Sequence, residues 1–173
     1  MGRAGRFVAV SAALLVTTVT GCGRDEPEPA SVPPIGHARD AHAADPCALP
    51  TAAQLTALGI TAPGAAISAP EGRRCEWRAI QETGPELGIT VFVGDGGLAT
   101  IAANSEPTTS RVRLAGYPAL ETFTGAGEFC QYDVGVAPDQ VVMASLEGGT
   151  PDSCTALQTV LPDVVSNLPA LPS

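Results

Sequence analysis

Apolar and polar residues alternate in five stretches of the chain, and each alternation reads as a strand with one buried face. In "CEWRAI", Cys75 and Trp77 face one way and Glu76 and Arg78 the other. In "LGITVFV", Leu87, Ile89, Val91 and Val93 share a face, and the intervening "QETGPE" makes the two a hairpin. "FCQYDVGVA" sets Cys130, Tyr132, Val134 and Val136 on one side, and a "PD" turn leads into its partner "QVVMASLE". Between these hairpins "SRVRLAGYPALETF" reads as one further strand, with Arg111 and Arg113 alternating against Val112 and Leu114 and with "GYP" shaping a bend.

Three segments instead follow a helical period. Thr51 and Gln54 form a capping-box pattern ahead of Leu55 and Leu58, which predicts a short helix over 52–58 ended by Gly59. "GDGG", Gly94 to Gly97, turns the chain into a small-residue helix over 98–105. From Ser153 onward Cys154, Leu157, Leu161, Val164, Val165 and Leu168 recur at three and four residues, and Asp152 can cap them. Pro162 interrupts this last pattern and is expected to kink the helix or split it. Helices at both ends around successive hairpins predict an α+β domain: an antiparallel sheet of about five strands, packed against the terminal helices.

Upstream the pattern changes character. Arg3 and Arg6 precede an apolar run, "FVAVSAALLVTTV", from Phe7 to Val19. Thirteen helical residues reach only about 20 Å, short of a hydrocarbon core of about 30 Å, so the run reads as the core of a signal peptide covering residues 1–21. It ends in "VTGC", the pattern of a bacterial lipobox, which predicts cleavage before Cys22 and a lipid on its sulfur. Residues 22–44 are rich in Pro, Ala and charge and carry no apolar period, so they read as a disordered tether. A single extracytoplasmic domain is then expected over 45–173. His37 and His42 fall in the tether and read as solvated residues rather than metal ligands.

Charge narrows the partners. Loss of residues 1–21 removes two of the nine arginines, leaving 7 against 18 acidic residues, so the mature chain carries 7 − 18 = −11. A surface this acidic argues against nucleic acid and offers no polybasic attraction to anionic lipid, so membrane attachment must come through the lipid anchor. The chain holds no lysine, and neither histidine lies in the expected domain. The groups most used as general base, Schiff-base amine or zinc ligand are therefore missing there; no catalytic residue, metal or cofactor is assigned.

With Cys22 assigned to the membrane, Cys47, Cys75, Cys130 and Cys154 remain, an even number in an exported domain and hence two disulfides with three possible connectivities. Nearest-neighbour pairing would tie each terminal helix to a strand. Trp77, the one tryptophan, shares a strand face with Cys75 and is expected to pack over the first disulfide. Arg73, Arg74 and Arg78, with Arg111 and Arg113, are a weak candidate anion-binding group, provided that their strands adjoin; surface pairing with acids is the simpler reading. "GDGG" lacks the lysine and hydroxyl of a phosphate loop, and Asp95, Asp133 and Asp139 do not have the spacing of a calcium loop.

"DPCALPTAAQLTALGI", "CEW", "GYPA" and "FCQYDVGVA", with a late cysteine opening the last helix, resemble the actinobacterial lipoprotein family catalogued as domain of unknown function 3558. The resemblance implies an anchored, cysteine-paired extracytoplasmic domain, and such domains are similar in fold to PsbP-like or Mog1-like α/β sandwiches. The functional expectation is a non-catalytic binding or interaction domain for an unknown envelope ligand or protein partner. A wall-polymer hydrolase using paired carboxylates and a purely structural envelope spacer are the alternatives.

Overall fold

The computed structural model describes residues 32–69, 72–79, 84–125, 129–148 and 152–172. The expected signal peptide, Cys22 and the first part of the tether lie outside the described residues.

A short turn of 3-10 helix at Pro46–Ala48 and the helix α1 (Ala52–Ala57) open the predicted domain. The Thr51 hydroxyl accepts from the Gln54 amide N–H and the Gln54 side chain accepts from Thr51 N–H, closing the capping box on both sides. The strands are β1 (Ala65–Ala69), β2 (Gly72–Arg78), β3 (Glu86–Val93), β4 (Thr109–Leu114), β5 (Tyr117–Thr124), β6 (Phe129–Ala137) and β7 (Gln140–Glu147). Helix α2 (Gly97–Ala103) follows β3, and α3 (Ser153–Ser166) follows β7. All seven strands form one antiparallel sheet in the order β1-β2-β3-β7-β6-β5-β4.

The sheet thus has seven strands rather than the expected five. One of the two additions is the edge strand β1, "AAISA", whose small residues give no burial alternation. The other arises because "SRVRLAGYPALETF" is two strands. Ala115 (φ 50°) and Gly116 (φ 88°) both take positive φ, the requirement of a two-residue hairpin turn whose twist matches its strands. The expected bend is therefore a complete reversal, pairing Leu114 with Tyr117 and Arg113 with Pro118.

Strand alternation sorts the side chains into two layers. Cys75, Trp77, Leu87, Ile89, Val91, Ala119, Tyr132, Val134, Val142, Ala144 and Leu146 lie on one face, where Leu157, Val160, Leu161, Val164 and Val165 of α3 complete the main core. The opposite face carries a smaller cluster of Leu98, Leu120 and Val141, so α2 packs on the side away from α3. Gly135 makes this approach possible, because a Cβ there would stand 3.0 Å from Leu98 Cβ. Helix α3 runs unbroken through Pro162, so the expected split does not occur. Five buried side chains on its sheet-facing side hold it together across the residue that cannot donate a backbone hydrogen bond.

The folded unit also begins earlier than residue 45. Arg39 N–H donates to Val136 O at 2.9 Å, Asp40 N–H to Pro169 O at 2.8 Å and His42 N–H to Gln140 Oε1 at 3.0 Å, while Ala41 and Ala44 are buried. The Tyr117 hydroxyl donates to His37 O at 2.7 Å. This part of the expected tether has no apolar periodicity because it is fixed by backbone hydrogen bonds and two alanines.

Candidate functional site

The four domain cysteines form two disulfides in the nearest-neighbour pairing. Cys47–Cys75 joins the 3-10 turn to β2, and Cys130–Cys154 joins β6 to the first turn of α3. Trp77 and Cys75 both line the space beside Gly64, so the tryptophan packs next to the first disulfide.

The arginines are not brought together. β2 and β4 are separated by five interstrand steps, about 24 Å at ~4.8 Å each. On β2, Arg74 Nε lies 2.8 Å from Glu76 Oε1, and Arg78 pairs with Glu76 and Glu86 at 3.3 and 3.2 Å. Arg73 emerges on the other face and donates to the carbonyls of Ala41 and His42. Arg113 donates to Gly116 O in its own turn, and Arg111 stands on the exposed edge strand. These contacts follow the simpler surface-pairing reading, with backbone carbonyls added as acceptors.

Two concavities are lined entirely by described residues. The polar one, about 410 Å³, opens between β4–β6 and α3 and is lined by Val112, Arg113, Leu114, Glu121, Tyr132, Gln158 and Pro162 among others. Glu121 and Tyr132 are cross-strand partners on the core-facing side. The Tyr132 hydroxyl donates to Glu121 Oε2, and Gln158 Nε2 reaches over from α3 to donate to the tyrosine oxygen at 2.6 Å. Burial, followed by the bond to Glu121, pushes the Tyr132 hydroxyl up to about 12. It is therefore a fixed donor at neutral pH, and it orients the carboxylate. Glu121 Oε1 accepts no hydrogen bond among the described residues and remains available to a ligand donor. None of these three side chains stood out in the sequence; a glutamate interrupting the core face of a strand was the available signal.

The second concavity, about 420 Å³, lies between residues 32–38, the start of α2 and the β6–β7 turn. All of its lining residues are apolar or glycine. "GDGG" is the strand-to-helix turn at its edge: Gly96 and Gly97 take φ of 79° and 47°, and a Cβ at Gly97 would fall 2.6 Å from Pro138 O. Asp95 and Asp139 are exposed beside it, whereas Asp133 is buried on β6, and no group of three metal-ligating side chains occurs among the described residues.

Asp133 itself faces away from α3, with the Gln131 amide donating to both its oxygens at 3.0 and 3.2 Å. Burial raises its carboxyl from 3.8 to about 6, against the lowering effect of Gln131. The folded state therefore holds a proton that the unfolded chain releases between these values, and stability falls as pH rises through that window. Asp133→Asn should change stability little below pH 4 and raise it at pH 7 by on the order of 1–3 kcal/mol, read from urea unfolding at the two pH values. Equal effects at both would exclude Asp133 as the titrating group.

No curated protein matches the chain. A solved structure from Bacteroides thetaiotaomicron VPI-5482 is similar over 64% of this chain and 42% of its own length, at 13% identity and a TM-score of 0.43, a likeness too distant to carry an inference. The chain thus spans less than half of that structure. The model described as "Protein of unknown function (DUF3558)" matches residues 17–167, most of the chain and all four paired cysteines, and the chain belongs to that family.

Proposed function

We propose that this chain is exported, cleaved before Cys22 and anchored through lipid on that cysteine, and that its domain is a non-catalytic binding module of the cell envelope. Anchoring is supported by the apolar run and "VTGC", and export by two disulfides, which persist in oxidising compartments. The binding reading is carried by the polar concavity. Glu121 stands in it with one oxygen held by Tyr132 and the other open, between the apolar walls of Val112, Leu114 and Pro162. Arg113 also lines the concavity, with its guanidinium donating to Gly116 O, and the arrangement suits a ligand with sugar hydroxyls or an ammonium group to donate to Glu121 and a carbon skeleton to lie on the walls.

What favours binding over a paired-acid hydrolase is the direction of the carboxylates. Asp133, the acid with a raised pKa, and Glu121 project from opposite faces of β5 and β6. A hydrolytic pair must instead flank one bond at about 5–10 Å.

The test has two arms. Membrane retention of the wild-type chain and its loss in Cys22→Ser would report anchoring, together with the mass of the N-terminal peptide. A thermal-shift screen of wall-derived amino sugars and diamines on the mature chain reports binding, and any stabilisation should be lost at least tenfold in affinity in Glu121→Gln. A full screen with no shift, or a shift indifferent to Glu121→Gln, would remove this site as the ligand-binding surface.

A further inference from the structure

We propose that the groove between residues 32–38 and α2 seats one acyl chain of a neutral-headed lipid from the membrane that holds the protein; this rests on the anchoring of Cys22. Val32, Ile35, Ala38, Leu98, Ala99 and Pro138 make most of its wall, and no lining residue has a polar side chain. At about 420 Å³ it sits at the low end of the range for small-ligand sites, room for one chain rather than two.

Its position specifies the source. Val32 is ten residues beyond Cys22, and ten residues span at most about 35 Å when fully extended. One wall of the groove is thus the direct continuation of the anchor, held within that distance of the bilayer surface. No other part of the domain has so short a covalent path to the membrane.

Charge specifies the headgroup. Asp95 and Asp139 are exposed and next in sequence to the lining residues Gly96 and Pro138, whereas Arg39, next to the lining residue Ala38, directs its guanidinium to the Tyr117 hydroxyl and Leu168 O. A fatty-acid carboxylate or phosphate placed there would meet like charge in a chain of net −11 after cleavage. A glycerol headgroup meets no such repulsion and can donate hydroxyls to the same carboxylates. A lipid with an uncharged head and one chain in the groove satisfies both the wall and the rim.

The probes are monoolein and oleate, titrated below their aggregation thresholds into the isotope-labelled mature chain carrying Cys22→Ser. Monoolein should shift amide resonances within residues 32–38 and 96–99. Oleate should need at least tenfold more ligand for the same shifts. Ala99→Glu, at an exposed helical position, should weaken monoolein at least tenfold while the remaining resonances stay in place. Ile35→Ser, on the opposite wall, should weaken it too and guards against a local effect of the first substitution. Absence of shifts at the groove, equal affinity for oleate, or indifference to both substitutions would overturn the proposal. So would shifts that appear with protein concentration alone, which would make a second copy the occupant. Lipidation of Cys22 is read separately from the mass of the membrane-derived N-terminal peptide. If that peptide is unmodified while monoolein still binds, the anchoring reading falls and the groove's chemistry stands.

Discussion

Reduction of both disulfides is expected to lower the stability of the domain by about 7 kcal/mol. The bridges span 28 and 24 residues, and loop closure in the unfolded chain makes each worth about 3.5 kcal/mol. Domains of this size are stable by roughly 5–15 kcal/mol in all, so the reduced chain should be marginal or unfolded at 37 °C. The two losses should add. β2 and β6, which carry Cys75 and Cys130, are separated by three interstrand steps, about 14 Å, beyond the distance at which substitutions usually couple. Each paired replacement, Cys47→Ala with Cys75→Ala or Cys130→Ala with Cys154→Ala, should therefore cost about half the total in urea unfolding. A reduced protein that unfolds at the same urea concentration as the oxidised one would contradict this. Unfolding on reduction would tie the shape of the domain to conditions in which its thiols stay oxidised.

Elements are legible in the sequence where one residue type has one physical use. The alternation of Cys130, Tyr132, Val134 and Val136 located β6, and Thr51 with Gln54 located the start of α1. Elements are hidden where the signal is carried by the backbone or by partners distant in sequence. β1 is an edge strand of small residues and one exposed isoleucine, Ile67, whose pairing with β2 is made by main-chain hydrogen bonds. Ala115 carries no sign of positive φ, since alanine rarely adopts it, and "GYP" in sequence marks a bend rather than a reversal. Residues 39–44 looked like tether because the bonds fixing them run to Val136, Gln140 and Pro169, about a hundred residues away or more. The candidate site was illegible for a related reason. Tyr132 sat among apolar neighbours and read as core, and only the pairing of β5 with β6 and the crossing of α3 bring Glu121 and Gln158 to its hydroxyl.

Trp77→Ala should cost about 3–5 kcal/mol, the range for removing a buried aromatic ring from a core that cannot fully collapse. The more telling measurement pairs it with Gly64→Ala. A Cβ at Gly64 would stand 2.5 Å from Trp77 Nε1 and 2.7 Å from Cys75 Sγ, so the ring or the loop must shift. Overpacking of this kind costs about 1–3 kcal/mol. Gly64 has no positive φ, so backbone conformation adds nothing to that cost and the clash is isolated. With the indole removed by Trp77→Ala, the contacts with the ring are relieved while the 2.7 Å approach to Cys75 Sγ remains, so Gly64→Ala should cost less than in the wild type but stay destabilising. A double-mutant cycle followed by circular dichroism should therefore show coupling of about 1–2 kcal/mol in favour of the double variant. Strictly additive losses would mean that the loop at Gly64 or the contact with Cys75 Sγ, rather than the ring, sets the cost. The indole and Cys75 Sγ both press on one glycine, so the coupling measures the indole's share of the clash and the cost of Gly64→Ala left in the Trp77→Ala background measures what the disulfide and the loop contribute.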